Sequence, residues 1–228
     1  ETEIEVREQS RTERPGRIYR LNLARFRQAG RTIDGAMRLQ QRVELFRTRR
    51  AYGLDASWRQ VRGLTERAAG AERRFLNRWT VEGRVRPARA WDLRLAGTVE
   101  QDRVRSEAFD EARSFDIRTL RVRPSASYRP TRTVDVTASG VYAQKRDRAK
   151  GRRADLLKVP VELTWRRAGR LRLTATAELA HVDLTGAAVG QAQFELTDGR
   201  GPGTSALWGL QGRYALTDNL RATLNYDG

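Results

Sequence analysis

A two-residue alternation between apolar and polar side chains is the feature that most constrains the fold of this chain. It is clearest in residues 169–184, GRLRLTATAELAHVDL, where aliphatic side chains alternate with charged or hydroxyl-bearing ones. Successive side chains of a β-strand point to opposite faces, whereas an α-helix repeats about every 3.6 residues. The segment therefore predicts a strand with two unlike faces. One face carries Leu171, Leu173, Ala175, Ala177 and Leu179, and the other carries Arg172, Thr174, Thr176 and Glu178.

The same alternation recurs along the chain, in segments that begin at Trp79, Trp91, Val134, Val159 and Ala206. Clusters of Gly, Pro and charged residues between such segments mark turns. The pattern predicts about twelve strands in a single β domain that spans residues 1–228. The expected strands are residues 1–13, 17–27, 35–47, 51–62, 74–86, 90–102, 115–128, 132–145, 155–166, 170–183, 204–215 and 219–228.

The composition argues against a conventional hydrophobic core. Only 39% of the residues are hydrophobic, 32% are charged, and the mean hydropathy is −0.71. No apolar run approaches the roughly 18 residues that a membrane-spanning helix needs. A barrel strand needs only about 9 to 11 residues and exposes alternate ones to lipid, so its average hydropathy is low. The alternation is therefore compatible with a membrane protein built from strands.

The expected connections between the strands take turns in length. Short connections are expected at 14–16, 48–50, 87–89, 129–131, 167–169 and 216–218, and longer ones at 28–34, 62–73, 102–113, 145–154 and 184–203. In a meandering sheet, alternate connections lie at opposite ends. The pattern therefore predicts a sheet with one trimmed end and one elaborated end.

With this asymmetry and alternation, the chain resembles bacterial outer-membrane β-barrel proteins. The resemblance is one of pattern and covers nearly the whole chain. It implies an all-β, antiparallel, up-and-down transmembrane β-barrel in the bacterial outer membrane, with short turns in the periplasm and long loops outside. With that orientation the first strand would start outside and the twelfth would end outside, whereas complete barrels of this class normally keep both termini in the periplasm. We therefore expect the twelve strands to be part of a larger barrel of fourteen or more, and the hairpin signal Asp227-Gly228 agrees.

Charged side chains on the polar phase are the candidate lining of the barrel lumen. On the lipid face each arginine would cost about 2–4 kcal/mol at the bilayer midplane, so the alternation assigns the two faces. The predicted lumen-lining residues are Arg38, Arg42, Glu44, Arg78, Glu82, Arg84, Asp92, Arg94, Glu100, Arg118, Glu162, Arg166, Arg172, Glu178 and Arg213. Two interpretations stay open: a salt-bridged lattice that stiffens the interior, or a channel that favours anions.

Aromatic residues on the apolar phase beside short turns form a candidate interface girdle, since Trp and Tyr prefer membrane–water interfaces. The predicted girdle is Tyr52, Trp91, Tyr128, Trp165 and Tyr214.

Several alternatives compete with these predictions. Residues 37–76 are rich in helix-favouring types, although the β alternation continues through them. His181 is the only histidine, and its place on the apolar phase favours packing over catalysis, so we expect no enzyme activity, no metal site and no cofactor. The Gly-rich stretch from Asp198 to Gly203 lacks the Lys-Ser/Thr of a phosphate loop and is expected to be a surface loop.

The functional expectation is a passive pore or the membrane anchor of a larger assembly. Its partners would be the lipid bilayer, lipopolysaccharide through the basic loop 145–153, and other subunits or missing segments of the assembly. The net charge is +17, and only three of the 45 basic residues are lysines, so the alternative is a soluble basic β-sheet protein that binds nucleic acid or another polyanion. No aromatic residue is interleaved in the basic loop, which disfavours nucleic acid.

Overall fold

The computed structural model describes residues 2–8, 16–28, 31–46, 51–67, 70–107, 113–167, 170–186, 190–215 and 221–228. Its strands are β1 (Thr2–Glu8), β2 (Gly16–Gln28), β3 (Arg31–Leu45), β4 (Tyr52–Arg67), β5 (Gly70–Val85), β6 (Trp91–Ser106), β7 (Phe115–Tyr128), β8 (Val134–Ser139), β9 (Val141–Asp147), β10 (Arg152–Arg167), β11 (Leu171–Thr185), β12 (Gly203–Ala215) and β13 (Arg221–Asp227). Helix α1 (Gly190–Thr197) lies between β11 and β12.

The strands pair antiparallel with their neighbours in the chain, so the sheet is an up-and-down meander. Strands β8 and β9 are two halves of one passage, because both pair with β7 and β10 in a single register. The ladder breaks at Gly140, whose N–H donates to the Pro124 carbonyl at 2.9 Å while Pro124 has no N–H to return. Counted as passages, the described residues contain twelve strands in one sheet. The predicted all-β antiparallel fold is confirmed, and the described part of residues 37–76 lies in strands rather than in a helix.

The register gives the sheet two chemically different faces. The outer face carries Trp91, Leu93 and Leu95 of β6 and every residue in phase with them; the inner face carries Asp92, Arg94 and the residues in phase with those. Large apolar side chains on the outer face are exposed rather than packed. They include Leu54, Trp79, Val81, Val85, Leu93, Leu95, Val99, Leu120, Val122, Tyr142, Leu157, Val159, Val161, Leu163, Leu179, Trp208, Leu224 and Tyr226. A contiguous apolar exterior of this kind is typical of a lipid-facing surface.

The strands are longer than the apolar band requires. Strands β4, β5, β6 and β10 have 16 residues each. Sixteen residues tilted by about 40° span about 40 Å, against about 25 Å for the apolar band of such barrels. They therefore continue past the band at the end where residues 186–202 connect β11 to β12. We call this the extended end and the opposite one the short-turn end.

At the extended end the polarity of the two faces is reversed. Val104, Phe115 and Ile117 are buried on the inner face, while Arg105 and Arg118 are exposed on the outer face. Beyond the bilayer the outside of the barrel meets water, so the arginines turn outward. The apolar side chains gather inside, where they can be shielded from water.

Three of the expected long connections are wrong. Strand β2 runs to Gln28 and β3 starts at Arg31, and β4 runs to Arg67 while β5 starts at Gly70. The third is 145–154, because β9 runs to Asp147 and β10 starts at Arg152. Where β4 and β5 continue past the apolar band, both of their faces carry polar side chains, so the alternation no longer marks a strand even though backbone pairing continues.

Helix α1 covers the inner face at the extended end. Ala192 and Leu196 of the helix are fully buried and join a hydrophobic cluster on the strands. The strand members of this cluster are Val104, Phe115, Ile117, Ala143, Ala154, Leu156 and Val182, with Leu184 packed against it. No helix in the described ranges is long and apolar enough to cross a bilayer. The main core of the described chain is thus a small cluster on the inner face of the sheet, covered by one short helix.

Candidate functional site

Every predicted lumen-lining residue except Arg118 lies on the inner face. These residues are Arg38, Arg42 and Glu44 on β3; Arg78, Glu82 and Arg84 on β5; Asp92, Arg94 and Glu100 on β6; Glu162 and Arg166 on β10; Arg172 and Glu178 on β11; and Arg213 on β12. Their common side follows from the register of each strand pair.

The prediction for Arg118 is wrong. The register pairs Arg118 with Gln101, in phase with Val99 and Leu120 on the outer face, and its side chain is exposed. The apolar phase shifts by one position beside this residue, from Phe115 and Ile117 on the inner face to Leu120 and Val122 on the outer face, because Arg118 lies beyond the apolar band. The position of a residue along the strand therefore decides whether the polar phase corresponds to the inner or the outer face.

On strands β3 to β6 the inner face is an ion-pair lattice. Arg42 donates to Asp55 at 2.7 Å, and Arg78 is paired with Glu100 on the neighbouring strand. Asp92 receives hydrogen bonds from two arginines. The Asp92 carboxylate oxygens lie 2.6 Å from Nε of Arg86 and 2.8 Å from Nε of Arg94. At the extended end, Arg74 forms a further ion pair with Asp102 at 2.5 Å. Each of these acids has at least one guanidinium partner, so this part of the wall is close to neutral.

On strands β10 to β12 the inner face carries an unpaired arginine row. Arg166 lies directly opposite Arg172, and Arg172 lies directly opposite Arg213. All three residues are exposed, and none has an ion pair with an acid of the described part of the chain. Directly opposed side chains in an antiparallel pair have Cβ atoms about 4.5–5.5 Å apart, and like charges there repel. We call Arg166, Arg172 and Arg213 the arginine row.

The segment that follows α1 is fixed to the inner face by two lysines. Lys145 of β9 is 4% exposed; its ammonium donates to the Glu195 carbonyl and, at 2.5 Å, to Asp198 Oδ1. Lys158 of β10 donates to Asp198 Oδ2 at 2.9 Å. The Arg121 guanidinium lies 3.6 Å from the same oxygen. We call Lys145, Lys158 and Asp198 the lysine clamp.

The clamp also caps the C-terminus of α1. The last carbonyls of a helix lack intrahelical donors and attract cations, which explains the Lys145 contact with the Glu195 carbonyl. The Gly199 N–H donates to the Phe194 carbonyl at 2.9 Å, and Asp198 occupies the left-handed position with φ 53°. Glycine usually takes that position, so its occupation by an aspartate is explained by the ion pairs that the carboxylate makes.

The charges of the clamp set the pKa of its carboxylate. Burial by itself would raise the pKa of Asp198, but the hydrogen bonds and charges of Lys145 and Lys158 outweigh it and lower that pKa to about 2. Glu195 on the same segment behaves in the opposite way: burial, reinforced by the Asp102 charge, raises its pKa. At neutral pH the Asp198 carboxylate is therefore ionised.

The predicted girdle residues all lie on the outer face near the short-turn end. Tyr52 and Trp91 stand at the starts of β4 and β6, and Tyr128, Trp165 and Tyr214 near the ends of β7, β10 and β12. The Trp91 and Tyr128 rings are 4.5 Å apart between centroids. The arrangement suits an interface belt, which stays a prediction.

His181 lies on the outer face and shares a hydrogen bond between its Nδ1 and Thr204 Oγ1 at 2.8 Å. Within the ranges that the structure describes, no three His, Asp or Glu side chains converge as a metal site would require.

The lysine clamp is the part of the site that sequence reasoning missed. The sequence predicts a surface loop for the Gly-rich stretch that Asp198 opens, and it places Lys145 where the expected strand 132–145 meets the basic loop 145–153, with no sign that its side chain is buried. The only available signal was that the chain has three lysines among 45 basic residues, two of which meet at one carboxylate.

One solved structure with a similar fold is the ferric yersiniabactin uptake receptor FyuA from Yersinia pestis, with a TM-score of 0.62 at 13% sequence identity. The likeness covers 98% of this chain and 43% of that receptor, so the chain spans less than half of the receptor's length. No protein-family model and no curated protein sequence matches the chain. At this identity the likeness extends to the fold alone: the chain has the fold of an outer-membrane β-barrel.

Proposed function

We propose that this chain forms part of the wall of a barrel in the bacterial outer membrane and that the barrel is a passive pore which favours anions. The observation that carries the proposal is the arginine row, Arg166, Arg172 and Arg213, exposed on the inner face without acidic partners among the described residues. The role is non-enzymatic, and it needs no cofactor.

The charge distribution of the inner face supports an anion preference. The lattice on β3 to β6 is locally neutral and stiffens the wall, whereas the arginine row leaves three adjacent positive charges facing the lumen. Like charges directly opposite each other on neighbouring strands destabilise the sheet. Anions in a lumen lined by such charges relieve that repulsion, and a low-dielectric wall focuses the field toward them.

The outer face supports the membrane location and argues against the soluble alternative. Trp79, Val81, Leu95 and Leu163 are each at least 40% exposed on one continuous face. A soluble polyanion-binding protein would have to leave this surface in water, which favours aggregation. That FyuA is an uptake receptor is consistent with a transport role for a chain of this fold.

A second candidate function is a membrane anchor within a larger assembly. Helix α1 occupies the inner side of the sheet at the extended end, where it narrows any passage. The fold likeness also covers only 43% of the similar receptor, so further strands and segments are expected to complete the barrel. If these segments fill the lumen, the barrel holds an assembly in the membrane without conducting.

Conductance of the full-length protein in planar bilayers tests the proposal. With a KCl gradient, the reversal potential should indicate anion selectivity, and Arg172→Gln should reduce it. A unit charge about 5 Å from a permeating ion changes its local concentration by about twofold to fourfold at moderate salt. Because the same charge lowers the local cation concentration by that factor, the anion-to-cation permeability ratio should fall by up to its square, about fourfold to sixteenfold.

Arg166→Gln and Arg167→Gln provide a matched control pair. The two arginines are adjacent in β10 but point to opposite faces. Selectivity should fall for Arg166→Gln and stay constant for Arg167→Gln. Equal effects would show that the inner row does not set selectivity, and the absence of any current would favour the anchor.

A further inference from the structure

A second row of arginines crosses the outer face at the extended end. Arg118 of β7 lies opposite Arg146 of β9, and Arg146 lies opposite Arg153 of β10. All three residues are exposed. We call them the outer arginine row; it is distinct from the arginine row that lines the inner face.

The outer arginine row stands directly above the apolar band. Along the same face, Leu120 follows Arg118 by two residues, and the next level contains Val122 and Leu157. Two residues of a strand advance about 6.6 Å, so guanidinium groups and exposed apolar side chains are separated by about the depth of a headgroup boundary. The surface therefore changes from apolar to cationic within one or two strand positions.

A groove of about 610 Å³ lies at this boundary. It combines a basic rim with an apolar floor made by Val99 and Leu120. The basic residues that line it are Arg118, Arg146, Arg148, Arg152 and Arg153; Gln144 and the buried Asp147 also line it, so positive charges outnumber negative ones five to one. A ligand that fits such a groove has anionic groups at one end and hydrocarbon at the other.

The positive charge of the row is only partly neutralised. Asp155 receives a hydrogen bond from Arg153 at 2.7 Å, and Asp116 is bound by Arg103 at 2.6 Å. Neither Arg118 nor Arg146 has an ion pair with an acid in the part of the chain that the structure describes. Two adjacent guanidinium groups thus face outward without an ion pair to any acid among the described residues.

We propose that the outer arginine row binds the phosphate groups of an outer-leaflet lipid, with lipopolysaccharide as the lipid class. Guanidinium groups bind phosphate oxygens in a bidentate manner, which makes arginine a strong phosphate ligand. Three arginines on adjacent strands extend over about 10 Å, which suits a headgroup with more than one phosphate. The acyl chains of the same lipid would cover Leu120 and Val122. The proposal rests on the membrane location in the proposed function but not on pore activity.

Binding of purified lipopolysaccharide to the full-length protein in detergent tests this assignment. The double variant Arg118→Gln/Arg146→Gln should bind roughly tenfold more weakly for each arginine removed. The control variant Arg73→Gln/Arg105→Gln removes the same charge from another opposed pair on the outer face at the same end and should bind normally. Unchanged electrophoretic mobility of the folded form shows that both variants retain the barrel.

Three ligand comparisons complete the experiment. Enzymatically dephosphorylated lipopolysaccharide and a phospholipid with a single phosphate should both bind more weakly than intact lipopolysaccharide. Equal loss of binding in the two double variants would overturn the assigned site, as would equally tight binding of inorganic phosphate or of dephosphorylated lipid. A protein that inserts and conducts but shows these results refutes only this inference, whereas failure to insert refutes the membrane location itself.

Discussion

The lysine clamp makes a sharp prediction for Asp198→Asn. Asparagine keeps the size of the side chain and its tolerance of the left-handed backbone at φ 53°, so the substitution removes only the negative charge. Lys145, whose side chain is 5% exposed, then lacks its anionic partner, and Lys158 loses its own. We expect α1 to dissociate from the inner face more often while the sheet stays intact.

The size of the effect follows from the electrostatics of the carboxylate. Lowering its pKa from 3.8 to about 2, at about 1.36 kcal/mol per pH unit, corresponds to about 2.4 kcal/mol. Its side chain is 29% exposed, so solvent screening reduces the expected loss to about 1–2 kcal/mol. Breaking a fully buried pair would cost about 3–5 kcal/mol, and this exposure makes the smaller value the appropriate one. The open population of α1 should therefore rise about 5- to 30-fold.

The accessibility of a thiol beneath the helix measures this population. The chain has no cysteine, so Ala192→Cys introduces a single reactive group. Ala192 is 0% exposed, and a water-soluble maleimide can reach a thiol there only when α1 lifts from the sheet. The labelling rate should rise about 5- to 30-fold when Asp198→Asn is added.

Asp183→Asn is the matched control for the same charge change. Asp183 is exposed on the outer face of β11, away from the clamp. Its substitution should leave the labelling rate of the Ala192→Cys protein unchanged. If Asp198→Asn and Asp183→Asn gave the same rate, the idea that ion pairing holds α1 on the inner face would be refuted.

Two further predictions concern pH and the outer face. The pKa of Asp198 is lowered in the folded protein, so its stabilisation of α1 is present above about pH 4 and is lost as the pH falls toward 2. The thiol labelling rate of the Ala192→Cys protein, corrected for the reactivity of a free thiol, should therefore rise as the pH falls from about 4 to 2. Above about pH 4 the corrected rate should not change with pH. Leu95→Arg places a charge on the exposed apolar face and should lower the free energy of unfolding by about 2–4 kcal/mol, measured by urea unfolding from lipid vesicles. Thr98→Arg, on the inner face of the same strand, should lower it by less than about 1 kcal/mol. Equal losses would contradict the assignment of the faces.

Much of the fold could be predicted from the sequence because alternation is a local property. Within the apolar band, one face meets lipid and the other does not, so the polarity of each side chain indicates the face on which it lies. Trp91 and Arg94 could therefore be placed on opposite sides without knowing their neighbours. The extent of the strands could not be predicted in this way, since residues 62–67 and 70–73 carry polar side chains on both faces and pair all the same.

The candidate site was only partly predictable. The inner position of Arg172 follows from its phase, but its lack of an acidic partner depends on which residues stand opposite it on β10 and β12. The lysine clamp joins residues that are 53 and 40 positions apart in the chain, and no local pattern marks such a contact.

The sequence by itself determined that this chain forms a meander of amphipathic strands and, within the apolar band, which side chains face lipid. A period of two residues fixes the face of every side chain once one of them is assigned. Only the tertiary structure decided where the polarity reverses along each strand, which arginines find acids and where α1 is held. Those outcomes depend on strand register, on height relative to the bilayer, and on contacts between distant segments, none of which a single strand encodes.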